Sequence, residues 1–112
     1  MTAEPTSHPE VTFSHPSENE FAHILDFYQI PWQYEPRTFD LAWDAAGRVR
    51  EAFTPDFFLP DLELFIEVTE MKQSLVTVKN RKVRKLREKY PDIRVKMLYR
   101  KDFMRMAQKY GL

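Results

Sequence analysis

An α/β domain of the α+β kind, with a central mixed sheet flanked by helices, follows from three features of this 112-residue sequence. Two short apolar runs, Phe57-Phe58-Leu59 and Leu64-Phe65-Ile66, lie on either side of Pro60-Asp61-Leu62-Glu63 and read as an antiparallel hairpin. Helical periodicity precedes it at Phe21, Ile24, Leu25 and Tyr28 and follows it at Val83, Leu86 and Tyr90. After the second helix Ile93, Val95 and Met97 alternate with Arg94 and Lys96, and the intervening chain is long enough for a crossover to a parallel strand.

Each element has its own warrant. Residues 1–16 hold Pro5, Pro9 and Pro16 among Ser, Thr and His without periodicity, the composition of a disordered tail, although Val11 and Phe13 are able to form a short edge segment. Residues 17–112 make the single domain. Ser17-Glu18-Asn19-Glu20 matches a capping box that opens the first helix, which Pro31 stops by about Gln29. Trp32 to Pro36 and Thr38 to Trp43 alternate apolar with polar residues, Asp44 to Arg48 turns, and Val49 to Phe53 returns, which predicts an antiparallel meander across residues 32–69. Tyr34, Phe39, Trp43, Phe53 and Phe58 are read as core rather than as base-stacking platforms. A helix is expected over Val76–Lys89 before Pro91, and Asp102 is read as the cap of a last helix carrying Phe103, Met106, Ala107 and Tyr110, with Gly111 near its end.

Composition narrows the function. One domain of this size buries roughly 60–65% of its unfolded surface. The chain has no cysteine, hence no disulfide and no thiolate metal site, which suits a reducing cytoplasm. No apolar run reaches the roughly 18 residues of a membrane span, and two glycines do not make a phosphate-cradling loop. The zero net charge conceals a division: residues 1–70 carry fourteen Asp/Glu against three Lys/Arg, and residues 71–112 carry the reverse. Acidic groups beside a basic arm suit metal-dependent phosphodiester chemistry, while two solvated faces of opposite charge are the structural alternative.

The hairpin locates the chemistry. With its turn centred between Asp61 and Leu62, Leu59 faces Leu64, Phe58 faces Phe65, Phe57 faces Ile66 and Asp56 faces Glu67. Apolar residues on both faces mark strands covered on each side, so two carboxylates at the end of the pair are costly to bury together. A divalent cation between them removes the conflict. A strand-end cap with a salt bridge to the basic helix is the other reading of the pair. Glu20 has two roles open to it, the capping box and a third carboxylate over the hairpin end. None of His8, His15 and His23 has metal-ligand spacing.

A helix with an acid, then Pro55-Asp56, then Ile66-Glu67-Val68 at the end of the hairpin, then a helix and a strand, resembles the PD-(D/E)XK nuclease superfamily over residues 17–99. The resemblance implies a restriction-endonuclease-like α-β-β-β-α-β core and a metal-dependent endonuclease hydrolysing DNA, with RNA left open. It implies that Asp56, Glu67, the Val68 carbonyl and Glu20 hold Mg²⁺ or Mn²⁺. The superfamily's lysine belongs two residues after the glutamate, where this chain has Thr69, so Lys72 or Gln73 is the expected substitute for orienting water. Lys79, Arg81, Lys82, Arg84 and Lys85 are the expected nucleic-acid grip, with a salt slope of about −3.6 if four of them meet phosphates of duplex DNA. A homodimer or larger assembly is the expected setting for so small a chain. The alternative function is a non-catalytic nucleic-acid-binding or assembly subunit that keeps the fold.

Overall fold

The computed structural model describes residues 11–70 and 73–109. Among these it is a mixed α+β arrangement of three helices, a four-stranded mixed sheet and a separate two-stranded sheet. None of the helices is long and apolar enough to cross a membrane.

Helix α1 (Pro16–Phe27) begins two residues earlier than the capping box requires. Proline suits the first helical position, where its missing N–H costs nothing. His15 is therefore the N-cap, without a side-chain cap bond, and Ser17 lies buried in the first turn. Ser17 therefore does not cap the helix, and the expected capping box is not formed. Residues 11–15, expected within the tail, run against the core instead: Val11 and Phe13 pack on it, and the Phe13 ring lies 4.9 Å from Tyr34 and 6.1 Å from Phe57. The rest of that expected tail, residues 1–10, lies outside the described residues, as do Tyr110 and Gly111.

Strands β1 (Gln33–Tyr34), β2 (Phe39–Trp43), β3 (Val49–Phe53), β4 (Phe57–Leu59) and β5 (Leu64–Thr69) follow. The expected β4–β5 register holds at every pair: Leu59 with Leu64, Phe58 with Phe65, Phe57 with Ile66. Its turn is a short 3-10 segment, Pro60–Leu62, closed by Glu63 in the left-handed region at φ 50°. The expected meander is not formed. Strand β1 pairs with β4, and β2–β3 stands apart as its own bulged hairpin. At the tip of that hairpin, Asp44 Oδ1 accepts N–H bonds from Ala46 (2.9 Å) and Arg48 (2.8 Å), and Gly47 takes φ 83°.

Helix α2 (Gln73–Lys89) starts three residues before its expected beginning, and β6 (Val95–Tyr99) pairs parallel with β5 as the crossover length allows. Helix α3 (Arg100–Lys109) continues directly from β6, which places Asp102 in its first turn rather than ahead of it. The sheet order is β1-β4-β5-β6.

Hydrophobic residues cover both faces of β4–β5, as the sequence indicates. Phe57, Leu59, Ile66 and Val68 pack with Phe21, Ala22, Ile24 and Leu25 of α1, with Trp32, and with Phe103 and Ala107 of α3. On the other face Phe65 and Val95 pack with Val83 and Leu86 of α2 and with Phe39, Leu41 and Phe53 of the hairpin. Phe58 borders this second core, and Tyr34 borders the first. Trp43 does not join either; it is 45% exposed, against the core position expected for it.

Candidate active site

Strand alternation places residues 65, 67 and 69 on one face of β5. Phe65 is in the core beneath α2, so Glu67 and Thr69 also look toward α2. The antiparallel partner of Glu67 in the continued register is Asp56, at the end of β4. Both acids are buried, Asp56 at 6% and Glu67 at 5% exposure. They cross-brace the two chain segments: the Asp56 N–H donates to Glu67 Oε1 at 3.1 Å, and the Val68 N–H donates to Asp56 Oδ2 at 2.8 Å. Each carboxylate thus spends one oxygen on the neighbouring backbone and leaves the other for the site.

Electrostatics here are strained. Burial, then the Glu67 charge, then the Glu18 charge push the Asp56 carboxyl up to about 8. Burial also raises Glu67, against the opposing pull of Lys79. The Lys79 ammonium lies 3.2 Å from Glu67 Oε2 and donates to the Val68 carbonyl at 2.7 Å. It comes from the second turn of α2 and is partly buried.

Two residues at this place were not singled out from the sequence as site members. One is Lys79 in its actual position: the sequence places it in the outer grip, yet it reaches the acids. Its spacing carried the signal, because Lys79 stands four residues before Val83 on the stripe that continues through Leu86 and Tyr90. The other is Glu18. At 2% exposure it is the acid that α1 brings to Asp56, accepting the Tyr34 hydroxyl at 2.6 Å and the Ser14 N–H at 3.2 Å. Burial and the bond to Glu18 push the Tyr34 hydroxyl up to about 12, so it stays a donor. Pro16 at the first helical position fixes Glu18, rather than Glu20, on the inner side of the first turn.

Glu20, the expected third carboxylate, turns elsewhere. It forms a two-pronged pair with Arg100 at 2.7 and 2.9 Å, which holds its carboxyl below the ordinary range. Thr69 is buried, and its hydroxyl donates to the Glu70 carbonyl at 3.2 Å. Lys72 and the Gln73 side chain, expected to replace the strand lysine, lie outside the described residues.

Most of the expected grip is engaged within the protein. Lys85 Nζ donates to Glu51 at 2.7 Å, Arg81 lies 3.4 Å from the same carboxylate, and Lys82 donates to the Ala52 carbonyl at 3.3 Å. These contacts fasten the β2–β3 hairpin to α2. Of the five expected residues only Arg84 is exposed without a hydrogen-bond or ion-pair partner among the described residues.

The donor set bears on the cation that the sequence implies. Among the described residues no three His, Cys, Asp or Glu side chains group closely enough to hold an ion. Magnesium, however, is commonly held by one or two carboxylates and keeps several waters, so Asp56, Glu67 and a backbone carbonyl are a suitable set. A cation already sits on two of these oxygens, as the ammonium of Lys79. The same charge arithmetic that raises Asp56 favours a second positive charge there. No family model, curated protein or solved structure matches this chain.

Proposed function

We propose that this chain is a metal-dependent nuclease of the PD-(D/E)XK kind, with a restriction-endonuclease-like core, in which Lys79 of α2 replaces the lysine missing at Thr69. One observation carries the reading: a helix-borne ammonium stands 3.2 Å from Glu67 and on the Val68 carbonyl, beside a second buried carboxylate at Asp56. An acid pair and a lysine converging at the covered end of a hairpin are the parts that phosphodiester hydrolysis requires.

Asp56, Glu67 and the Val68 carbonyl would hold Mg²⁺ or Mn²⁺, which when bound polarises a phosphate and acidifies water. The protein supplies the remainder. The backbone bonds from Asp56 and Val68 hold the carboxylates in place before any substrate arrives. The Glu35 N–H donates to the Asp56 carbonyl at 2.8 Å and fixes that residue from the β1 side. Lys79, on a flexible stem, orients the attacking water and offsets negative charge developing on the phosphate. Glu18, locked by Tyr34, keeps the site negative enough to require cations. DNA is the proposed substrate.

The non-catalytic alternative has Thr69 on its side, together with a basic helix largely occupied within the protein. Incubation with plasmid, single-stranded and branched DNA, with Mg²⁺ or Mn²⁺, separates the two. The nuclease reading expects cleavage that disappears in Asp56→Asn, Glu67→Gln and Lys79→Met while binding persists. Binding without cleavage by the wild-type chain supports the alternative.

A further inference from the structure

Trp43 ends β2 on the side that faces α2, beyond the buried pair Phe39 and Leu41. It keeps 45% of its surface exposed, and its cross-strand partner Val49 keeps 48%. Lys89 Nζ sits over the indole, 5.5 Å from its centroid. Arg50 stands exposed on the same hairpin, as does Arg48, whose guanidinium pairs with Asp44 at 3.0 Å. The α2 segment Lys79–Lys89 carries seven Lys/Arg and one Glu, and the hairpin adds two Arg against two Asp and one Glu, so the pair of elements remains clearly positive.

A positive rim argues against an apolar protein partner and for a polyanion. The indole narrows the class further. Bases within a duplex already stack on each other, so a flat ring at a hairpin tip meets a base face only where the strand is unpaired.

The position also sets a distance. From Asp56 back to Val49 is seven residues, at most about 25 Å even if fully extended. From Lys79 to Lys89 is ten residues of helix, about 15 Å. With roughly 3.4 Å per stacked nucleotide, that interval corresponds to about 4–7 nucleotides.

We infer that Trp43, with Lys89 beside it, is a stacking site for an unpaired base about 4–7 nucleotides from the phosphate held at Asp56 and Glu67. The chain would thus select nucleic acid with a single-stranded extension. This rests on the nuclease reading for the second reference point; the stacking itself does not require cleavage.

The test uses the full chain carrying Asp56→Asn, without divalent cation, and fluorescein-labelled oligonucleotides: a blunt duplex and the same duplex with a ten-nucleotide tail. Trp32 is the other tryptophan and is 4% exposed, so quenching of tryptophan emission on adding unlabelled tailed duplex reports Trp43. Expected are quenching by the tailed but not the blunt duplex, and a loss of about 5- to 100-fold in tailed-duplex affinity for Trp43→Ala. Trp43→Phe should retain most of the affinity. The quenching measurement stands even if Trp43→Ala does not fold. Anisotropy showing tight binding with unchanged emission and no preference for the tail overturns the inference. So does concentration-dependent quenching without nucleic acid, which would mark the tip as a contact between copies. Cleavage by the wild-type chain with a silent Trp43 refutes only the stacking site; tail-dependent quenching without cleavage refutes only the enzyme.

Discussion

Lys79 is the residue on which the chemistry turns, because it is the cation nearest to two buried acids. Replacing it with methionine keeps the stem and removes the charge. The expected loss in cleavage rate is about 10²–10⁴-fold, measured in single turnovers at saturating Mg²⁺. Lys79→Met with cleavage unchanged would leave the lysine role without an owner among the described residues. Asp56 supports a second prediction, whose sign follows from the direction of its shift. Its carboxyl rises from an ordinary 3.8 to about 8 in the folded chain. Between those values the native state keeps a proton that the unfolded chain has released, so stability falls as pH rises. Without divalent ions, Tm should therefore decline from pH 5 to pH 8, and Asp56→Asn should flatten that part of the profile. Mg²⁺ should raise Tm more at pH 8 than at pH 5.5, since binding at Asp56 needs the ionised form. A Tm that climbs toward pH 8 in the wild type contradicts the assignment.

At the level of elements, what could be read from the sequence divides along physical lines. The β4–β5 register was legible because apolar residues on both faces and a proline-bearing turn leave little freedom to slip. The parallel β6 was legible because the crossover length permits it and the alternation marks a strand. The separation of β2–β3 from the main sheet was not, since alternation shows that a strand has a buried face but not which sheet it joins. Nor was the role of α2: seven cations on one helix look like a solvated grip until the hairpin supplies Glu51 and the Ala52 carbonyl to receive them. That occupancy changes an expected number. If two of Arg50, Arg84 and Lys89 meet phosphates of a single strand, the slope of log K against log[salt] is about −1.4, well short of −3.6. Glu51→Gln releases Arg81 and Lys85 and should steepen the slope toward about −2.8 while loosening the hairpin. An unchanged slope in Glu51→Gln would mean that these two side chains do not reach nucleic acid even when freed.

Across the whole molecule, two cores share one β4–β5 hairpin, and the acids sit at its end. Phe57 fills the first core against Phe21 and Trp32; Phe39 fills the second against Phe65 and Tyr90. Because Phe65 and Ile66 are neighbours on one strand facing opposite cores, loss of packing on either side should disturb the backbone of the other. The β2–β3 hairpin is held to this unit by Leu41 and Phe53 in the second core and by the Tyr90 hydroxyl, which donates to the Asp40 carbonyl at 2.9 Å. The chain should thus unfold in one step despite its two sheets. The tryptophans provide the measurement, since Trp32 reports the first core and Trp43 the hairpin beside α2. Thermal midpoints followed by emission in Trp43→Phe and in Trp32→Phe, each compared with that variant's far-ultraviolet circular dichroism, should coincide within each variant. Phe57→Ala and Phe39→Ala should each cost about 3–5 kcal/mol, a large part of the stability of a domain this size. A hairpin signal that melts well before the dichroism would show β2–β3 to be an independently opening arm. The second core would then be a docking contact, and Lys79 would be held at the acids by α2 alone.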